Sequence, residues 1–186
     1  EQLVTHEEQH YGLRFRAPLP VEGWNAQISL LTGMAAAELM LGGHVGVLRT
    51  VPPPEPDRLK RLQLTAQALN VEWPEGVTYQ GFVRGLSPFV ARQAALLVEA
   101  AGLLRGSGYV SFDGDPPADP VHSPLASTYT HTTAPLRRLV DRYVGEICLA
   151  LAAGDEIPDW VRAELWTLPE TMAATGGRAG QYEAGI

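Results

Sequence analysis

The 186-residue chain has one cysteine, Cys148, and one lysine, Lys60. A single thiol excludes an internal disulfide and any zinc site built from several cysteines. Cys148 stands between Ile147 and Leu149 in a helical pattern, where it reads as a small buried hydrophobe. Long hydrophobic runs are also missing. No window of about 18 apolar residues occurs, so no helical segment is expected to cross a membrane. The opening EQLVTHEEQH is acidic and polar, without the apolar stretch of a secretory signal. Together these absences set the expectation of a reducing, cytoplasmic location. No G-x-x-x-x-G-K-[ST] and no G-x-S-x-G is present, which leaves ATP-dependent and serine hydrolysis without support. His6 and His10 stand four apart, but no apolar pattern supports the helix a zinc-protease motif needs.

What is present is ordinary for a globular chain: 45% hydrophobic and 19% charged residues, enough for one domain or part of a larger one. The formal net charge of −7 argues against a protein coated in positive charge for non-specific nucleic-acid binding, but not against a local site. Thirteen of the fourteen basic residues are arginine. Arginine recognises phosphate in a planar, bidentate way; the plainer reading is a GC-rich genome.

The pattern along the chain predicts an α+β fold, rich in helix with a few short strands. YGLRFRAP alternates as a half-buried strand with no partner nearby in sequence. A helix follows, with Trp24, Ile28, Leu31, Ala35 and Leu39 on its inward face and Gly42 and Gly43 at its end. HVGVLRTV reads as a strand. Asp57 caps a helix to about Leu69, and VEWPEGVTYQGFVRG reads as a polar connection. Ser87 and Pro88 start a helix to about Arg105. GYVSFDG reads as a strand, DGDPPADPVHSP as a loop, and two short helices close the chain around 159–166 and 169–183. Both ends read as unfinished, as if residues 1–186 were a piece of a longer polypeptide.

Residues 127–144, STYTHTTAPLRRLVDRYV, carry the strongest chemical signal. Leu136, Leu139, Val140, Tyr143, Val144, Ile147 and Leu151 form one apolar stripe, so the helix is expected to open at Pro135 with Thr133 or Ala134 as its cap. Arg137 then sits in the first turn, where a positive charge opposes the helix dipole unless an anion is bound. Asp141, one turn on, is placed to orient it. The alternative is a solvated arginine pair. Trp24 and Tyr143 read as core, whereas Tyr129, off any stripe, is the candidate for stacking on a base. Asp113, Asp115 and Asp119 in DGDPPAD lack an EF-hand pattern and read as turn formers, so no metal ligand is assigned.

The run HSPLASTYTHTTAPLRRLVDRYV resembles the ribonuclease II/R (RNB) family of exoribonucleases. Tyr129, His131, Thr132, Thr133, Ala134, Pro135, Leu136, Arg137, Arg138, Leu139 and Asp141 match in register. WNAQISLLTGMAAAELM and GVLRTVPPPEPDRLKRL are similar to the family's preceding segments, and RAGQYEAGI to a later one. The resemblance implies the C-terminal half of an RNB catalytic domain within a longer chain. Its activity would be processive 3′→5′ hydrolysis of single-stranded RNA to nucleoside 5′-monophosphates. It implies a catalytic Arg137 at the RNA phosphate, with Tyr129, His131, Thr133, Arg138 and Glu183 contacting RNA and Asp141 orienting. It also implies Mg2+ held by aspartates, and OB-fold RNA-binding domains, outside this segment, so the segment alone would be inactive. Single-stranded RNA and the rest of the same polypeptide are the implied partners. Departures stand at Thr132 for an aromatic, Ala134 for serine, Asn25 or Ala26 for a glutamate and Ala184 for arginine. A catalytically silent RNA-binding relative and a helical protein-interaction module therefore stay open.

Overall fold

A helix can open on proline because its first N–H groups have no partner inside the helix. Helix α1 (Pro20–Gly42) does so at Pro20, and the Glu22 carboxylate turns back to accept the Leu19 N–H at 2.6 Å. The computed structural model describes residues 2–7, 10–15, 19–103 and 106–184. Strands β1 (Gln2–Glu7) and β2 (His10–Phe15) precede α1; after it come β3 (Val45–Thr50), α2 (Pro56–Ala68), α3 (Tyr79–Arg84), α4 (Ala91–Ala101) and β4 (Gly108–Asp113). Then follow β5 (Val121–His122), a 3-10 turn at Ser123–Leu125, β6 (Ser127–Thr128), α5 (Leu139–Ala153), α6 (Asp159–Glu164) and α7 (Leu168–Ala184). The expected α+β class is the class observed.

The strands form three antiparallel pairs, β1 with β2, β3 with β4 and β5 with β6. The first pair corrects the expectation that YGLRFRAP has no partner nearby: the polar opening residues supply it, Val4 opposite Leu13. In the second pair Arg49 lies opposite Tyr109 and Val47 opposite Ser111. A parallel bridge from Val51 to His122 ties the third pair to the end of β3.

Helix α1 ends at Gly42 and Gly43 as its glycines lead one to expect, yet the face it buries is not the large apolar one. Gly33, Ala37 and Met40 are buried, while Trp24, Ile28 and Leu31 are 67, 64 and 68% exposed. Backbone proximity decides this. A Cβ on Gly33 would stand 2.3 Å from the Tyr129 ring and 2.4 Å from the Thr130 carbonyl oxygen, so only a residue without a side chain lets α1 approach that segment.

Two cores result. The main one joins α1, β3, β4, α5, α6 and α7 through Met40, Val47, Leu48, Val144, Ile147 and Val161. Each such fully buried side chain contributes about 1.5–3 kcal/mol over its exposed state. Cys148 packs at the edge of this core, and burial pushes its thiol pKa up. The second core joins Leu62 and Ala66 of α2, Phe82 of α3 and Leu96 and Ala100 of α4. Trp73 stacks on Phe82 with ring centroids 4.0 Å apart.

Helix α3 corrects the reading of residues 71–85 as mere connection. The Thr78 hydroxyl caps it, accepting the Gly81 N–H at 3.2 Å. Helix α4 starts at Ala91, not at Ser87 and Pro88, because the Ser87 hydroxyl accepts the Phe89 N–H within a separate turn. It ends at Ala101; position 105, its expected end, lies outside the described residues. No described helix is long and apolar enough to cross a membrane.

Candidate functional site

Residues 129–131 run across α1 and β3, and nearly every polar group of the crossing is satisfied. The Thr130 hydroxyl donates to the Val47 carbonyl at 2.7 Å, the Thr130 N–H to the Gly33 carbonyl at 3.2 Å, and the Arg49 N–H to the Tyr129 carbonyl at 2.8 Å. Thr130 is fully buried, so these bonds replace water that cannot reach it. The segment is thus tied down on two elements before it reaches the arginines.

After Thr133 the chain does not enter a helix. The Ala134 carbonyl accepts N–H bonds from Arg137 at 3.2 Å and Arg138 at 3.1 Å, closing a turn over residues 135–137. Helix α5 begins at Leu139 with Arg138 as its extended N-cap residue. This corrects the helix start expected at Pro135 and the cap expected at Thr133 or Ala134. The cause is Asp141, 2% exposed, whose Oδ2 accepts the Ala134 N–H at 2.6 Å and Arg138 Nη2 at 2.9 Å. A carboxylate in the first turn of α5 also suits the helix dipole. The mouth of the helix is therefore filled by the chain's own anion.

Two consequences follow for the arginines. Asp141 pairs with Arg138 at i,i+3, not with Arg137 at i,i+4, so its orienting role belongs to Arg138. Arg137 lies on the turn, exposed, and its guanidinium has no hydrogen-bond or ion-pair partner among the described residues. Its side is continued by a groove of about 270 Å³, with Arg137 and Arg142 on one wall and Thr171, Met172 and Thr175 of α7 on the other. Leu136 beside it is fully exposed, correcting its place on the inward stripe.

Behind the turn lies a cluster of rings. The Tyr109 hydroxyl and His131 Nδ1 are 2.6 Å apart, the Arg49 guanidinium sits 4.8 Å from the centre of the Tyr109 ring, and Arg49 Nη2 donates to Ser107 Oγ at 2.7 Å. Burial first, then Arg138 and Arg49, push the His131 pKa down to about 4, so its imidazole is neutral at pH 7. Burial raises the pKa of Tyr109 and Tyr129 and lowers that of His122. Tyr129 packs edge-on against His122 and His131, each at 5.5 Å, and is 7% exposed. Its ring belongs to the support of the loop, which corrects its reading as an open platform for a base. Three buried atoms here have no partner among the described residues: Asp141 Oδ1, Arg138 Nε and His122 Nδ1.

Of the remaining candidates, Thr133 is exposed on a bend beside Ala134. Glu183 falls on the last turn of α7, and its side chain lies outside the described residues. Asp113 is engaged by Arg162, and Asp115 and Asp119 are exposed. Among the described residues no three His, Cys, Asp or Glu side chains converge on a point where a metal ion would sit. Sequence reading missed Arg49 and Tyr109. The signal available was an arginine in an otherwise apolar strand, meaningful only once the β3–β4 register sets it against the tyrosine.

An α+β body of this order has the fold of the RNB-type ribonucleases. Mycoplasma genitalium RNase R in complex with ribose-methylated single-stranded RNA superposes with a TM-score of 0.75 and 19% identity, over 95% of this chain and 29% of that one. The same protein in complex with double-stranded RNA gives 0.71 and 19%, over 95% and 33%. Yeast Ssd1, a pseudonuclease, gives 0.66 and 18%, over 80% and 19%. At these identities the likeness is one of fold, and the chain spans a third or less of each of these proteins. No family model matches the chain, and no curated protein sequence matches it at a significant level.

Proposed function

We propose that this chain is part of a 3′→5′ exoribonuclease of the RNase R type, acting on single-stranded RNA in the cytoplasm and releasing nucleoside 5′-monophosphates. Residues 1–186 act as the C-terminal part of its catalytic domain, with the OB-fold domains elsewhere in the polypeptide. The observation that carries the reading is Arg137: an exposed guanidinium with no partner among the described residues, on a turn braced from behind by Asp141 and Arg138, in a chain with the RNase R fold. Arg137 stabilises the charge that develops on the phosphate oxygens as water attacks phosphorus and the P–O3′ bond breaks. Arg142 and the threonines across the groove receive the adjoining backbone, together with Thr133 at the bend and Glu183 on α7. Arg138 serves the site from behind, because its charge is already committed to Asp141. The described residues offer no ligand set that fits the Mg2+ the fold class implies, so metal chemistry is assigned to the rest of the polypeptide and no step here passes through it.

A second reading has a specific observation behind it. Ssd1, a pseudonuclease, shares the fold, and Ala134 contributes only its backbone N–H where relatives of the resembled family carry a serine hydroxyl. The test is digestion of 5′-labelled single-stranded RNA by the complete gene product, with magnesium and then with EDTA. A magnesium-dependent ladder shortening from the 3′ end supports the exonuclease. Intact RNA that still binds in a salt-dependent way supports the silent relative, and salt-insensitive association with protein alone supports an interaction module. In an active enzyme, Arg137→Ala should lower kcat about 100-fold or more and change RNA affinity only about threefold. Equal loss of both would remove Arg137 from the chemistry.

A further inference from the structure

His131 and Tyr109 meet through one short contact, 2.6 Å between the tyrosine hydroxyl and His131 Nδ1. A neutral imidazole has one N–H and one bare nitrogen, and the hydrogen bond at one decides the proton's place at the other. The Tyr109 hydroxyl has no other partner among the described residues, and its environment keeps it protonated. With the Tyr109 hydroxyl as donor, Nδ1 is bare and the ring proton stands on Nε2. Nε2 itself makes no hydrogen bond and is not among the buried unpartnered atoms, so it keeps contact with solvent.

The surroundings hold this pair rigid. Arg49 covers the Tyr109 ring and is anchored on Ser107; Tyr129 packs on the His131 ring; and Thr130, next in the chain, is tied to Val47 and Gly33. The groups facing the imidazole are Arg49 of β3, Tyr109 of β4, and Arg138, Asp141 and His122 of the loop and α5. A bare nitrogen turned outward would repel phosphate oxygens, whereas an N–H turned outward donates to any acceptor oxygen of the RNA backbone.

We propose that Tyr109 is a positioning residue: it fixes the tautomer of His131 so that a neutral Nε2–H is presented, three residues from the Arg137 turn, to an acceptor oxygen of the RNA sugar–phosphate backbone. The ligand half of this inference rests on the RNA reading of the site; the tautomer half does not.

The experiment is long-range 1H–15N correlation on the full chain labelled with 15N at histidine, paired with affinity for an RNA and a DNA oligonucleotide of one sequence. The wild type should show the Nε2–H tautomer, and Tyr109→Phe, which keeps the ring but removes the donor, should shift His131 toward Nδ1–H. The same substitution should weaken RNA binding about three- to tenfold, the worth of one hydrogen bond. Loss confined to RNA identifies the ribose hydroxyl as acceptor; loss on both strands identifies phosphate. An Nδ1–H tautomer in the wild type, or a tautomer unmoved by Tyr109→Phe, overturns the positioning role. A tautomer that shifts as expected in a chain that binds neither oligonucleotide refutes the RNA reading and the ligand half with it, and leaves the positioning of His131 standing. Unchanged RNA affinity beside a shifted tautomer refutes the ligand half alone.

Discussion

Replacing Asp141 with asparagine tests the feature that shapes the whole turn. The carboxylate is 2% exposed and accepts two hydrogen bonds through one oxygen, 2.6 Å from the Ala134 nitrogen and 2.9 Å from Arg138 Nη2. Asparagine is nearly isosteric and its carbonyl still accepts the Ala134 N–H, so that bond weakens without vanishing. What is lost is the charge opposite Arg138, whose side chain is only 16% exposed and has no other anion among the described residues. Removing one partner of a fully buried pair costs about 3–5 kcal/mol. Partial solvation of Arg138 reduces this, and loss of the favourable charge at the start of α5 adds about 0.3–1 kcal/mol. The expected cost of Asp141→Asn is therefore about 2–4 kcal/mol, a fall in Tm of roughly 4–15 °C for a chain of this length. Urea unfolding of the wild type, Asp141→Asn, Arg138→Met and the double variant measures it. The double variant should be more stable than the sum of the single effects by about 1–3 kcal/mol. A single-variant cost below about 0.5 kcal/mol, the range of an unengaged surface site, would refute the reasoning, as would strict additivity with Arg138→Met.

Two further predictions probe the packing and the electrostatics. Gly33→Ala should destabilise by about 2 kcal/mol or more, because its Cβ would meet the Thr130 carbonyl and the Tyr129 ring below 3 Å. Gly23→Ala, with nothing within 4 Å in the same helix, should stabilise by about 0.5–1 kcal/mol, and thermal melts compare the two. The folded-state pKa of His131, about 4 against an ordinary 6.5, makes the unfolded chain bind the proton first as pH falls. Its contribution to stability is thus complete above pH 6.5 and lost as pH drops toward 4, on the order of 2 kcal/mol for a half-buried ring. His131→Gln should flatten the stability profile in that window, and an unchanged slope in urea titrations at pH 7 and 4.5 would remove the effect.

The elements were legible where local pattern and tertiary packing agree. HVGVLRTV and GYVSFDG became β3 and β4, and α2 buries Leu62 and Ala66 as their spacing implies. The pattern misled on α1. A stripe of Trp24, Ile28 and Leu31 has the hydrophobicity of a core face, but hydrophobicity alone does not say how closely a backbone must approach. The contact with Tyr129 and Thr130 admits only Gly33, and that closeness turns the small residues inward and the large ones out. Similarly, the polar turn chemistry of Thr78 and Ser87 moved helix boundaries that apolar periodicity could not resolve.

At the site the sequence showed the right residues in the wrong partnership. On a helix opening at Pro135, Arg137 and Arg138 both lie within reach of Asp141, at four and three residues, and spacing does not choose between them. The choice is made by a bond seven residues long, from the Ala134 N–H to the Asp141 carboxylate, which stops the helix short and folds residues 135–137 into a turn. Once Asp141 fills the helix mouth, no bound anion is needed to relieve an arginine there, and the dipole argument for phosphate falls away. A different argument replaces it. Two adjacent cations share one buried carboxylate; geometry gives that carboxylate to Arg138, and Arg137 is left projecting with its charge unmatched. An anion bound at Arg137 would then come from outside the described residues. Because Arg138 and Asp141 hold the turn independently of any ligand, Arg137 can meet that anion without first being organised by it.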